Sequence, residues 1–176
     1  MRKFIIILFG LIIFLSGTNF AQDKSTNNLN LPKMTIEQRM NRLMLNTAGM
    51  IVNSIGYIKS VGGNAADLGK YIGNVFAKAW SPIKGRGPRV FVEAMYNNYQ
   101  SDLDNKFEVL EQTDTSITYK VTRFLGSKMV NFYSDNVTEQ DIDDCYEMLI
   151  KTIANSVGLN YSQKVVPDGM VITVSE

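Results

Sequence analysis

The spacing of apolar residues changes along the chain from a helical period to a strand period, and this change constrains the fold more than any other feature. From Ile36 to about Leu103, apolar side chains recur every three or four positions, as on an amphipathic helix. From Phe107 they alternate at every second position, then return once to the helical period and once more to alternation. The order helices, hairpin, helix, hairpin predicts a single α+β domain, an antiparallel sheet covered on one face by about four helices.

Capping and breaking residues set the bounds of the predicted helices. The four helices are expected over Ile36–Lys59 behind a capping box at Thr35, from Asn64 as cap to Trp80, from Arg89 to Leu103 after the loop Ser81–Pro88, and from Thr138 as cap to Gly158. On the first helix the predicted core face is Ile36, Met40, Leu43, Met44, Ile51, Ile55 and Ile58, and on the second it is Leu68, Ile72, Phe76 and Ala79. Small residues at four-residue spacing on the second helix (Ala65, Gly69, Gly73, Ala77) predict a close helix–helix contact. The fourth helix has its apolar stripe at Ile142, Cys145, Leu149, Ile150, Ile153 and Val157.

Alternating segments separated by turn residues predict two hairpins. The expected strands are Phe107–Leu110 and Ile117–Val121 around the turn Thr113–Ser116, and Leu159–Val166 and Met170–Val174 around Pro167-Asp168-Gly169, with a further short strand at Lys128–Tyr133.

The first 21 residues are typical of an export signal. Two cations, Arg2 and Lys3, precede a twelve-residue apolar run from Phe4 to Leu15, which is short of the roughly 20 residues that a spanning helix needs. We therefore predict a signal peptide over 1–21 with cleavage after Ala21, a flexible leader over 22–33 and the domain over 34–176. An exported domain with a single cysteine fits a bacterial periplasm or the cell exterior, and we expect no stable membrane span after cleavage.

The composition excludes several kinds of chemistry. The chain has no histidine and one cysteine, Cys145, so histidine triads, zinc–histidine sites, histidine-ligated haem and an intramolecular disulfide are excluded. Without Arg2 and Lys3, 16 basic residues face 17 acidic ones, and this balance gives no basic field that would indicate nucleic-acid binding. The expectation is a chain without metal or cofactor, and without a convergent catalytic set.

Two segments resemble a known group of small bacterial domains. These are NAADLGKYIGNVFAKAW (64–80) and the closing helix and hairpin over 137–174. They resemble the vinyl-4-reductase-like, haem–NO-binding-like and amino-thiazoline-carboxylate-hydrolase-like domains. The resemblance implies an α+β fold that holds a small molecule between helices and a sheet. It does not extend to the metal-binding members, because the chain lacks their histidine and clustered cysteine ligands.

Aromatic residues spread over the helices and strands suggest a ligand pocket. The predicted lining is Trp80, Tyr96 and Tyr119, with Arg123 meeting a ligand carboxylate at the mouth. The alternative is that the aromatic side chains form ordinary core and that Arg123 ends its strand in solvent.

A basic loop leads into the third helix and suggests an anion site. Lys84, Arg86 and Arg89 place three cations where the helix already carries partial positive charge, and a bound carboxylate or phosphate would relieve that conflict. The alternative is a solvated loop whose charges point away.

Three other features favour structural roles. Cys145 is expected to be buried and inert, and the acidic run Glu139, Asp141, Asp143 and Asp144 is expected to complement the helix N-terminus. The methionines of the first helix are expected to fill core gaps. The function that these features favour is an exported module that binds a small apolar or amphipathic molecule with an anionic group. The alternative is a periplasmic or cell-surface protein-interaction domain.

Overall fold

A computed structural model describes residues 33–101, 105–123 and 136–176. Within these ranges, four α-helices and four strands follow one another in the predicted order. They are α1 (Ile36–Ser60), α2 (Ala65–Trp80), α3 (Gly87–Tyr99), β1 (Phe107–Gln112), β2 (Ser116–Val121), α4 (Glu139–Ser156), β3 (Asn160–Val166) and β4 (Gly169–Ser175). The predicted signal peptide, the leader up to residue 32 and the predicted strand Lys128–Tyr133 lie outside the described residues.

The helix caps form as the sequence predicts. Thr35 and Thr138 each accept a hydrogen bond from the third residue of the helix, whose own side chain accepts one from the cap backbone, and Asn64 caps α2. The predicted start of α3 at Arg89 is two residues late, because Gly87 and Pro88 already belong to the helix. Pro88 fits there since the first turn of a helix has no partner for its N–H groups.

One antiparallel sheet joins the two hairpins. The strand order is β1-β2-β4-β3, with β2 paired to β4 from Ser116↔Ser175 to Val121↔Met170. Alternate residues of β2 and β4 point into the core, and the residues between them face away from the helices. The predicted α+β class, with helices on one face of an antiparallel sheet, is therefore confirmed.

The space between the helices and the sheet is packed with side chains. The main core takes Phe91, Val92 and Met95 from α3, Ile150, Ile153, Ala154 and Val157 from the end of α4, and the inward residues of the strands, including Tyr119 and Tyr161. A second cluster joins α1 to the start of α4 through Val52, Ile55, Ala65, Val137, Ile142 and Cys145.

The closest helix–helix contact is between α2 and α4. A Cβ atom added to Gly69 would lie 2.0 Å from the backbone oxygen of Cys145, and one added to Gly73 would lie 2.6 Å from that of Leu149. Only glycine lets the two backbones approach so closely, and the predicted tight contact at these positions is confirmed. The predicted apolar face of α2 is wrong in part, since the contact uses the small residues and leaves Phe76 exposed.

The predicted core face of α1 is also wrong in part. The buried residues of α1 are Ala48, Gly49, Val52, Ile55 and Gly56, which lie on the C-terminal half of the helix. The larger stripe that includes Ile36 and Leu43 faces solvent, and Met50 is exposed, so it does not fill a core gap. The reason is that α1 docks through the face of Ala48, Val52 and Ile55, which leaves the row that includes Ile36 and Leu43 outside. Among the described residues, no helix is both long and apolar enough to cross a membrane.

Candidate functional site

A cluster of aromatic rings connects α3 to the sheet. Phe107 on β1 stacks on Tyr119 at a centroid distance of 4.9 Å and contacts the edge of Tyr96 at 5.0 Å. Tyr99 lies 6.2 Å from both Phe107 and Tyr119. Aromatic pairs at these separations stabilise each other beyond the area they bury. The cluster thus fixes α3 against the first hairpin.

An open groove of about 590 Å³ lies above this cluster, between α3 and the β1–β2 hairpin. Its lining is Arg89, Val92, Glu93, Tyr96, Asn97, Phe107, Val109, Gln112 and Ile117. Two residues singled out from the sequence for different reasons, Arg89 and Tyr96, line this one groove. Phe107 forms part of its apolar surface, and Glu93 places a carboxylate one helical turn from Arg89.

The other predicted pocket residues lie elsewhere. Tyr119 is completely buried and supports the groove from below through Phe107. Trp80 is half-buried and packs on Phe91 at 5.1 Å, on the α2 side of α3. Sequence reasoning placed the pocket between helices and sheet, but that space holds packed core, so the groove lies at the edge of the layers.

The basic loop before α3 is held by its backbone. Gly85 and Gly87 have φ angles of +71° and +78°, the left-handed region that favours glycine, and the Gly85 N–H donates to the carbonyl of Val157 at 3.1 Å. Lys84 and Arg86 are exposed. The first turn of α3 contains no acidic residue, so its partial positive charge is not offset within the helix.

A carboxylate from the end of β4 lies close to this helix terminus. Oε1 of Glu176 is 3.5 Å from the position that a Cβ would take on Gly87. The chain therefore supplies a negative charge of its own beside the first residue of α3. Arg89, which lines the groove, is the cation of the three that is placed to meet a bound molecule.

Arg123 is held by two carboxylates of α4. Its Nε donates to Oδ1 of Asp143 at 3.0 Å, its Nη2 donates to Oδ2 of the same residue, and its Nη1 donates to Glu139. The two-pronged bond to Asp143, with the charge of Glu139, raises the pKa of the guanidinium despite the opposing effect of desolvation. Because Asp143 is buried, the acidic run does more than complement the helix terminus, and this ion pair ties the end of β2 to α4.

The remaining polar groups of the core have structural positions. Cys145 is buried as expected, and burial raises the pKa of its thiol to about 11. Burial likewise raises the pKa of Tyr99 to about 12, with the hydrogen bond between the Tyr99 and Tyr119 hydroxyls acting in the other direction. These groups stay protonated at neutral pH. Within the described ranges, no group of three or more acidic or cysteine side chains is arranged to hold a metal ion.

Sequence reasoning missed the residues that complete the groove and the ion pair. Glu93, Phe107 and Val109 carry no motif, and only the register of α3 against β1 brings them beside Arg89. The pairing of Arg123 with Asp143 joins residues 20 positions apart, across a segment that no short-range pattern spans.

Comparison with known proteins gives no relative. No family model, no curated protein and no solved structure matches the chain.

Proposed function

We propose that the chain is an exported bacterial module that binds a small amphipathic molecule with an anionic group, in the groove between α3 and the β1–β2 hairpin. The observation that carries the proposal is the meeting of Arg89 with the apolar and aromatic surface of Tyr96, Phe107 and Ile117 in one groove. Ligand sites of this size combine an apolar lining with a few placed polar groups.

The charges of the groove set the orientation of the ligand. Arg89 lies at the start of α3, next to the basic loop and the positive end of the helix, so the anionic group belongs there. Glu93 lies one turn further along α3, and its carboxylate repels an anion. The same carboxylate accepts a hydrogen bond from a donor group of the ligand. The apolar part then lies over Tyr96 and Phe107. Lys84 and Arg86 add attraction from outside the groove, which is screened over about 8–10 Å.

A titration with two matched probes tests this proposal. Decanoate and decyltrimethylammonium have alkyl chains of nearly equal length and head groups of opposite charge, and amide NMR reports where each binds. We expect saturable shifts at Arg89, Tyr96 and Phe107 with decanoate and much weaker binding of the cation. Arg89→Gln is expected to weaken decanoate binding about tenfold, the effect of losing one charged hydrogen bond.

A control variant separates the groove from general charge effects. Arg39→Gln removes an exposed cation from α1, away from the groove, and is expected to leave decanoate binding unchanged. Equal binding of both probes, or equal loss in the two variants, would show that the groove does not recognise an anionic ligand.

A further inference from the structure

The exposed apolar face of α1 repeats every seven residues. Ile36, Leu43, Met50 and Tyr57 follow one another at this spacing, and they are 80%, 60%, 72% and 68% exposed. Four large apolar side chains exposed in one row are costly in water. Between them, at alternating spacings of four and three, come Met40, Thr47 and Ser54. An alternating four–three spacing over three heptads is the pattern of a helix that pairs with another helix along a seam.

The hydroxyl groups of this face are already satisfied within α1. Thr47 Oγ1 donates to the carbonyl of Leu43 at 2.9 Å, and Ser54 Oγ donates to that of Met50 at 2.7 Å. A partner helix can therefore cover both residues without leaving a buried donor unpaired. A partner can therefore exclude water from the exposed face of α1, although Thr47 and Ser54 on that face are polar.

A groove continues the same face onto α2. It measures about 660 Å³ and lies between the two helices, lined by Asn53, Ser54, Tyr57, Ile58, Asp67, Leu68 and Tyr71. Tyr71 is exposed, as is Val75 one turn further along α2. The C-terminal half of the α1 face thus has a second wall, whereas in its N-terminal half Ile36, Leu43 and Thr47 are exposed and Met40 is partly buried.

We infer that two copies of this chain pair through α1 in antiparallel orientation, with the N-terminal half of each α1 lying in the α1–α2 groove of the other copy. In this alignment Ile36 of one copy lies over Ser54 of the other, and Leu43 lies over Thr47. The layers of Ile36 with Ser54 and of Leu43 with Thr47 then set a large residue against a small one, and the layer between them sets Met40 against Met50. A parallel alignment would set the small residues against each other and leave gaps, which cost stability.

The charges beside the seam agree with the antiparallel alignment. Arg39 of one copy meets Asn53 of the other, and Asn46 meets its own counterpart, so no like charges face each other. The pairing surface is the same on both copies, which gives a closed two-fold dimer, the commonest form of assembly. A membrane surface is disfavoured as the occupant, because such helices carry rows of cations beside the apolar face and α1 has only Arg39, Arg42 and Lys59.

Sedimentation of the protein as isolated from its host, at micromolar concentration, tests the pairing. We expect a dimer for the natural chain and a monomer for Leu43→Asp. The matched control Asn41→Asp introduces the same charge on the opposite side of α1 and is expected to remain dimeric. Burial of one leucine changes affinity by about tenfold or more, which sedimentation resolves. An unchanged circular dichroism spectrum and a cooperative thermal transition, at a temperature lowered by the loss of the partner, show that the Leu43→Asp monomer still folds.

Single cysteine variants test the orientation. Asn46→Cys lies beside its own counterpart only in the antiparallel dimer, and it is expected to form an intermolecular disulfide there. Ile36→Cys lies beside its counterpart only in a parallel dimer; in the antiparallel one the two sites are about 27 Å apart, at 1.5 Å per residue. Cross-linking at Ile36→Cys and not at Asn46→Cys would overturn the orientation. A monomeric natural chain, a dimer that Leu43→Asp leaves intact, or a monomer that instead binds anionic vesicles through this face would overturn the inference.

Discussion

At the scale of single residues, two glycines decide how closely α2 and α4 can pack. Gly69 is the tighter case, because any side chain there would overlap the backbone of Cys145. The backbone of a helix cannot give way as a flexible side chain does, so the two helices must separate to admit a methyl group.

Gly69→Ala is therefore expected to lower the free energy of unfolding by about 2–3 kcal/mol, as overpacking of a core does. In an exposed helix position the same change would stabilise by about 1 kcal/mol. Urea unfolding measures the difference, and Asn74→Ala on the outer face of α2 is the control. A Gly69→Ala protein as stable as the natural one would show that α2 and α4 are further apart than described.

The pair of Arg123 with the buried Asp143 makes a second residue-scale prediction. Arg123→Gln leaves a buried carboxylate without its cation and is expected to cost about 2–3 kcal/mol, less than a fully buried pair because the guanidinium keeps partial contact with water. Arg123→Gln with Asp143→Asn removes both charges and is expected to recover part of that loss. A double variant no more stable than the single one would mean that the loss in Arg123→Gln does not come from leaving the charge of Asp143 unpaired.

At the scale of elements, the start of α4 holds the end of α1. The side chain of Asp141 forms part of the capping box of α4, and it also accepts a hydrogen bond from Lys59 Nζ at 2.6 Å. Desolvation acts to raise the pKa of Asp141, but the hydrogen bonds from Lys59 and Thr138 outweigh it and lower the pKa below its ordinary value. A carboxyl with a lowered pKa in the folded state stabilises the fold where it is ionised.

The sign of this linkage gives a prediction for acid unfolding. The contribution of Asp141 is complete above the unfolded pKa of about 3.9 and is lost as the pH falls through the lower folded value. Asp141→Asn is expected to be less stable than the natural chain at pH 7, with the difference shrinking as the pH falls below about 4. Thermal unfolding at several pH values measures this, and Asp114→Asn in the exposed β1–β2 turn is the control. A difference that stays constant down to pH 2 would contradict the linkage.

The elements also show what periodicity can and cannot predict. The caps at Thr35, Asn64 and Thr138 and both hairpins follow from local signals, because capping and turn formation involve residues a few positions apart. The buried face of α1 could not be predicted from local signals, because Ala48, Gly49 and Gly56 are less hydrophobic than the residues of the exposed stripe. Periodicity finds an apolar face, but it does not say whether that face meets the chain's own core or another molecule.

At the scale of the whole molecule, the candidate site depends on long-range register. The sequence singled out Arg89 and Tyr96, which are on one helix, and residue spacing alone could relate them. It could not bring Phe107 and Val109 to the same groove, because that requires the docking of α3 on the first hairpin. It also placed Tyr119 in the pocket, whereas the filled core leaves that ring beneath the groove. Packing between elements decides such placements.

Native mass spectrometry of the protein taken from its own host tests the central claim, ligand binding in the α3–hairpin groove, most directly. We expect that the natural chain carries a bound small molecule, and that Arg89→Gln with Tyr96→Ala loses it while remaining folded. Arg39→Gln, away from the groove, is expected to retain the same bound mass. A natural chain that carries no small molecule, or one that is retained equally in the groove variant, would contradict the claim.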